Sequence, residues 1–229
     1  RDSKCAFCYA GCNCTTNPVG DDREMSTAEV QNVLRKIFHE TEVPSVSFTG
    51  GEPTLRPDLE ELIDYAKQLG MWVNLITNGT RITAGRARVL ADVGLDSAQV
   101  SLEGVSPEVH DQITQKPGSF RHSVAAIHHF KDAGIRAHSN TTICQGNLSQ
   151  CVLMPAFVKE TLGNQKFSMN LVIPTGSAAL NETLVVCYSE LGPHLLEIEA
   201  ESKRQGVEFM WYSPTPMCLF NPVANGMGN

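Results

Sequence analysis

The chain has 229 residues, 41% of them hydrophobic and 19% charged, with a net charge of −7. That is enough material for one large core, and ordinary for a globular domain. The negative balance and the lack of any basic run argue against nucleic acid as a partner, and no apolar run is long enough to cross a membrane.

The elements alternate along the chain. Ser26-Thr27-Ala28-Glu29 forms a capping box, and Val30, Val33, Leu34 and Ile37 follow at helical spacing, which predicts a helix to about His39. Ser45 to Thr49 reads as a short strand between Pro44 and a glycine pair. Asp58 and Glu61 open a second helix, with Leu59, Leu62, Ile63 and Leu69 facing inward and Gly70 as its stop. Then come a strand from Trp72 to Thr77, a helix from Thr83 to Val93 and a strand from Ser97 to Leu102. A short turn over Val109 to Ile113 precedes a helix from Phe120 to Ala133 and a strand from Ile135 to Ile143. The spacing predicts one helix from Gln150 to Leu162, a strand from Phe167 to Ile173, a helix from Tyr188 to Gln205 and a last strand from Glu208 to Tyr212.

Such alternation implies parallel strands joined by right-handed crossovers, in either an open doubly wound sheet or a barrel. Polar or glycine-rich residues close nearly every strand: Gly50 to Glu52, Asn78, Ser101 to Glu103, Asn140 to Thr142, and Thr175 to Gly176. A barrel gathers these ends around one mouth. Its first strand is expected just before Arg1, the ends of the chain reading as those of an internal fragment.

Four of the eight cysteines, Cys5, Cys8, Cys12 and Cys14, crowd into ten residues near the start. Soft thiolates at this density suit a metal in a reducing, cytoplasmic compartment better than a disulfide framework. Four thiolates also satisfy tetrahedral zinc, so the loop alone leaves a zinc-stabilised binding module open. Gly50-Gly51-Glu52-Pro53 follows the first strand; without Cβ atoms its backbone lets a ligand approach and offers carbonyls to an ammonium group. Ser101 and Glu103 lie two residues apart, on one side of a strand. His110-Asp111 reads as a helix-start segment rather than an acid–base dyad. His128 and His129 fit a helix core, and Cys144, Cys151 and Cys187 core thiols.

Cys5-Ala6-Phe7-Cys8, a Cys-x-aromatic-Cys loop, followed by Gly50-Gly51-Glu52-Pro53, resembles the radical S-adenosylmethionine superfamily. The resemblance implies a partial (β/α)6 TIM-like barrel in which three cysteines hold a [4Fe–4S] cluster and the Gly-Gly-Glu segment holds S-adenosylmethionine. It implies reductive cleavage of that cofactor to a 5′-deoxyadenosyl radical, which takes hydrogen from a substrate. Cys5 and Cys8 would be cluster ligands; Phe7, Gly50, Gly51, Glu52, Pro53, Asn78, Ser101, Glu103 and Asn140 would face the cofactor. The first cysteine of the family loop falls on position 1, where this chain has Arg, a permanent cation with no lone pair to donate. Either Arg1 marks a ragged edge, or Cys12 or Cys14 supplies the third thiolate, or the barrel is degenerate and non-catalytic. Cys218, followed by nine residues and then Gly228, resembles the opening of a SPASM-type extension and would ligate an auxiliary iron–sulfur cluster. The core is then expected over residues 1–213 and the start of the extension over 214–229. The partners implied are an electron donor such as flavodoxin or ferredoxin and a peptide, protein or tetrapyrrole-like small-molecule substrate.

Overall fold

The computed structural model describes residues 3–9, 24–218, 221, 223 and 224. The chain enters the fold through helix α1 (Thr27–Thr41), whose predicted capping box forms: the Ser26 amide donates to the Glu29 carboxylate at 2.7 Å, and the Glu29 amide to Ser26 Oγ at 3.4 Å. Six parallel strands follow, β1 (Ser45–Phe48), β2 (Trp72–Thr77), β3 (Ser97–Ser101), β4 (Arg136–Ile143), β5 (Lys166–Leu171) and β6 (Glu208–Trp211), hydrogen-bonded in that order. All neighbouring pairs are parallel.

This sequential order decides between the two architectures left open by the alternation. A doubly wound sheet reverses direction at a switch point; here every crossover advances one strand the same way. Helices α2 (Leu59–Gln68), α3 (Ala84–Asp92), α4 (Pro107–Thr114), α5 (Ser119–Asp132), α6 (Leu148–Cys151), α7 (Met154–Glu160) and α8 (Tyr188–Gln205) occupy the crossovers. The result is a partial barrel, and the described residues themselves supply six strands.

The two faces of the sheet differ sharply. Val73, Leu75, Val100, Ile143, Phe167, Met169, Leu171, Phe209 and Trp211 are buried and belong to one core cluster with Leu59 and Ile63 of α2 and with Ile127 and Phe130 of α5. The alternate positions are mostly polar. Asn74 Nδ2 donates to Ser47 Oγ at 3.2 Å and Ser97 Oγ to Asn74 Oδ1 at 2.7 Å. Gln99 Nε2 donates to Ser168 Oγ at 2.9 Å, Ser168 Oγ to Asn140 Oδ1 at 2.8 Å, and Asn140 Nδ2 to Asn170 Oδ1 at 2.8 Å. Of the bulky branched side chains that could plug a barrel, this row carries Ile76, which forms part of a cavity wall, and the rest of the interior stays open.

Three expectations need correction. Residues 109–113 are not a turn but part of the helix α4, begun by Pro107 at its first position. The single helix expected over 150–162 is broken into α6 and α7, because the ring of Pro155 clashes with the carbonyl four residues earlier, at Cys151. Cys144 and Cys151 are core thiols as expected, but Cys187 is exposed, at the N-cap of α8, where a helix start meets solvent. No helix among the described residues is long and apolar enough to cross a membrane. Phe130 is fully buried between α5 and the sheet; Phe130→Ala is expected to cost about 3–5 kcal/mol in urea unfolding, since a cavity of that size closes only partly.

Candidate functional site

The strand ends converge on a cavity of about 370 Å³ at the C-terminal edge of the sheet. Cys5, Phe7, Cys8, Gly50, Gly51, Glu52, Asn78, Ser101, Glu103 and Asn140 all line it. Of the residues singled out in the sequence, Pro53 and Cys218 do not; Pro53 opens a short 3-10 turn behind the wall and Cys218 is exposed elsewhere. Cys12, Cys14 and Arg1 lie outside the described residues.

The cysteine loop is seated through its main chain. The Lys4 amide donates to the Thr114 carbonyl at 3.3 Å and the Ala6 amide to Ile113 at 2.9 Å, so the end of α4 accepts the loop with carbonyls the helix itself leaves unmet. On the other side the Ser177 amide donates to the Cys8 carbonyl at 2.8 Å. Next to it Gly176 has φ +57°, and a Cβ there would stand 2.3 Å from the Cys8 carbonyl oxygen. Phe7 packs with Ile113, Cys144, Val172 and Ala178 beneath the loop.

Gly50 turns the corner after β1 with φ +141°, and a Cβ built on it meets nothing within 4 Å. Gly50 therefore presents bare backbone to open space, and Gly51 beside it also lines the cavity. Glu52 does something different. Its Oε1 accepts from the Thr54 amide at 3.1 Å, Thr54 Oγ1 at 2.6 Å and Thr77 Oγ1 at 2.7 Å, and its Oε2 from the Asn78 amide at 2.8 Å. This carboxylate is committed to tying the end of β1 to the end of β2, which fixes the glycines in front of it.

Glu103, just beyond β3, is 3% exposed. Burial pushes its carboxyl up to about 8, opposed by the Thr142 amide that donates to Oε2 at 2.8 Å. His110 of α4 also lines the cavity, and sequence reasoning missed it there. Its Nδ1 accepts from the Glu103 amide at 3.0 Å, and burial brings its pKa down to about 4. The neighbouring Asp111 carboxylate accepts from the Gly118 and Phe120 amides and Ser119 Oγ, capping α5.

A nucleoside-sized ligand fits this cavity, with apolar walls at Phe7, Ile76, Leu171 and Ile173 and convergent polar groups opposite. For a metal cluster the described residues offer two thiols at the wall, Cys5 and Cys8; no group of three or more His, Cys, Asp or Glu side chains among the described residues is placed to hold a metal ion.

Two consequences can be measured. Gly176→Ala is expected to unseat the loop, raising the alkylation rate of Cys8 several-fold in peptide mapping while far-UV circular dichroism is unchanged; an unchanged rate would mean the seat tolerates a side chain. Folding takes up a proton at Glu103 between its ordinary 4.5 and about 8, so this group's contribution to stability falls as pH rises through that window and is flat above it. The buried His110 and His138 act with the opposite sign, but only below their ordinary 6.5. Between pH 6.5 and 8, Glu103→Gln should therefore show a shallower fall in urea midpoint than the parent chain, and parallel curves would contradict the burial argument.

A family model described as the Radical SAM superfamily matches residues 2–149. The chain is 37% identical over 161 residues to an AdoMet-dependent heme synthase of Oleidesulfovibrio alaskensis, covering 68% of this chain and 40% of that protein. It is 35% identical over 146 residues to a PqqA peptide cyclase of Rhizobium meliloti, covering 62% of this chain and 39% of the relative. The chain thus spans about two fifths of the length of these curated relatives. Its fold matches that of Streptococcus suis SuiB bound to S-adenosylmethionine with a TM-score of 0.74 at 19% identity, over 96% of this chain and 49% of that one. With the family model matched over more than half its length and its cysteine and glycine motifs brought to one cavity, the chain belongs to the radical SAM superfamily.

Proposed function

We propose that this chain is the cofactor-binding core of a radical S-adenosylmethionine enzyme. The observation that carries the reading is that Cys5, Cys8, Gly50 and Gly51, far apart in sequence, line one cavity at the strand ends. Cys5 and Cys8 would hold two irons of a [4Fe–4S] cluster, with Cys12 the candidate for the third thiolate. The bare carbonyls of Gly50 and Gly51 would accept from the ammonium of the cofactor, held in place by Glu52 and the turn begun by Pro53. Asn78, Ser101, Glu103 and Asn140 would bind its sugar and carboxylate oxygens, and Phe7 would flank the base. Bound together, cluster and cofactor would supply the radical chemistry of hydrogen abstraction from a substrate. The protein's part is orientation and exclusion of water.

Within this reading residues 1–213 are the core, and residues 214–229, with Cys218, begin a SPASM-like extension that carries an auxiliary cluster. A peptide or protein is the leading substrate class, supported by the relative named PqqA peptide cyclase. A tetrapyrrole is the second, supported by the relative named heme synthase. A small electron donor such as flavodoxin or ferredoxin would complete the reaction in the cytoplasm.

Anaerobic reconstitution tests the proposal. The parent chain is expected to turn brown, to bind iron and sulfide at about four each per cluster, and to cleave S-adenosylmethionine when reduced. Cys5→Ala and Cys8→Ala should each lose the visible absorbance and most of the iron. Full iron in either variant would sink the assignment, and stoichiometric zinc without iron would favour a structural zinc loop.

A further inference from the structure

His110 has one ring nitrogen engaged by the fold and one that is not. It lies on the inward side of α4 and is 1% exposed. Its Nδ1 accepts from the Glu103 amide at 3.0 Å, which requires that nitrogen to be bare and places the ring proton on Nε2. The Nε2–H group is buried and has no hydrogen-bond partner among the described residues. Buried donors are rarely left so. The nearest aromatic ring, Phe120, stands at 5.8 Å between centroids and 70° to the imidazole, a packing contact that brings no lone pair.

The other polar groups of this wall are satisfied within it. Thr114 Oγ1 is bonded to Ser119 Oγ at 2.7 Å, and Ser123 Oγ donates to the Asn78 carbonyl at 2.8 Å. His110 also stands one helical turn from Ile113 and Thr114, whose carbonyls seat the cysteine loop. His110 itself is among the residues that line the cavity, as are Cys5 and Cys8 of that loop.

We propose that His110 Nε2–H donates a hydrogen bond to an oxygen of the small ligand bound beside the cysteine loop, making His110 a ligand-positioning residue. The identity of the ligand rests on the proposed function: the acceptor is a carboxylate or ribose oxygen of S-adenosylmethionine. A neutral imidazole held in this tautomer can only donate from Nε2. It selects an oxygen at this position and rejects the ammonium group, which has nothing to accept with.

Two substitutions separate the fold tie from the ligand contact. Asn places its carbonyl near the Nδ1 position, so His110→Asn keeps the acceptor for the Glu103 amide and loses the distal donor. His110→Gln reaches the Nε2 position with an amide and gives up the near acceptor. In calorimetric titration of the reconstituted chain with S-adenosylmethionine, His110→Asn should weaken binding about five- to tenfold, the effect of one neutral hydrogen bond. His110→Gln should retain most of the affinity, and His110→Phe should lose as much as Asn or more. Methionine and adenosine titrated separately locate the acceptor: the deficit of the Asn variant follows whichever fragment carries it. Parent-like binding by His110→Asn overturns the inference alone. Should that variant fail to fold, a loss by His110→Gln as large as by His110→Phe overturns it. A parent chain that does not bind S-adenosylmethionine overturns the proposed function and this inference together.

Discussion

A parallel sheet wound in one direction places every crossover helix on the same side, so its two faces have different solvents to satisfy. The outward face must be apolar to bury the helices, and in this chain Val73, Leu75, Phe167 and Met169 meet that demand. The inward face has no helix to cover it. Here it carries serine, asparagine and glutamine, joined across five strands by hydrogen bonds between side chains. Small polar residues cannot fill a barrel, and the space they leave is where a ligand and its reaction would be housed. The cavity is thus a result of the strand order combined with the residues chosen for one face.

Around the rim, polar side chains serve the backbone before they serve a ligand. Glu52 draws the ends of β1 and β2 together. Asn147 accepts from the Cys144 amide and donates to the carbonyls of Glu103 and Thr142, and so ties the ends of β3 and β4. Asp111 caps α5, holding the short link between α4 and α5. Rim loops fixed by charged or amide side chains keep their shape without a ligand, which lowers the cost of ordering them when one binds. Gly50, Gly51, Glu103 and His110 are among the residues that line the cavity these ties frame.

The parts of this arrangement that repeat locally could be read from the sequence. All six strands and the main helices follow from alternation and helical spacing, and the capping box at Ser26 from four residues. The break at Pro155 was also written locally, and weighing the ring against the Cys151 carbonyl would have found it. The cysteine and glycine motifs declared the chemistry because few other purposes require those residues together. The environment of His110 had no such signature: its tautomer depends on an amide seven residues earlier, and its ring packs on Phe120 of the next helix. Glu52 was legible as part of a motif, but two of its four donors come from Thr77 and Asn78 at the end of β2, and only tertiary structure reveals that its carboxylate is already committed. Gly176 gave no hint that it was the seat of a loop some 170 residues earlier.

That seat is made of peptide groups on both sides: amides of residues 4 and 6 on helix-end carbonyls, and the carbonyl of Cys8 on the amide of Ser177. Peptide groups neither titrate nor change oxidation state. These backbone ties are therefore indifferent to acidity and to electron transfer at the sulfurs they present, and so is the apolar packing of Phe7 beneath the loop.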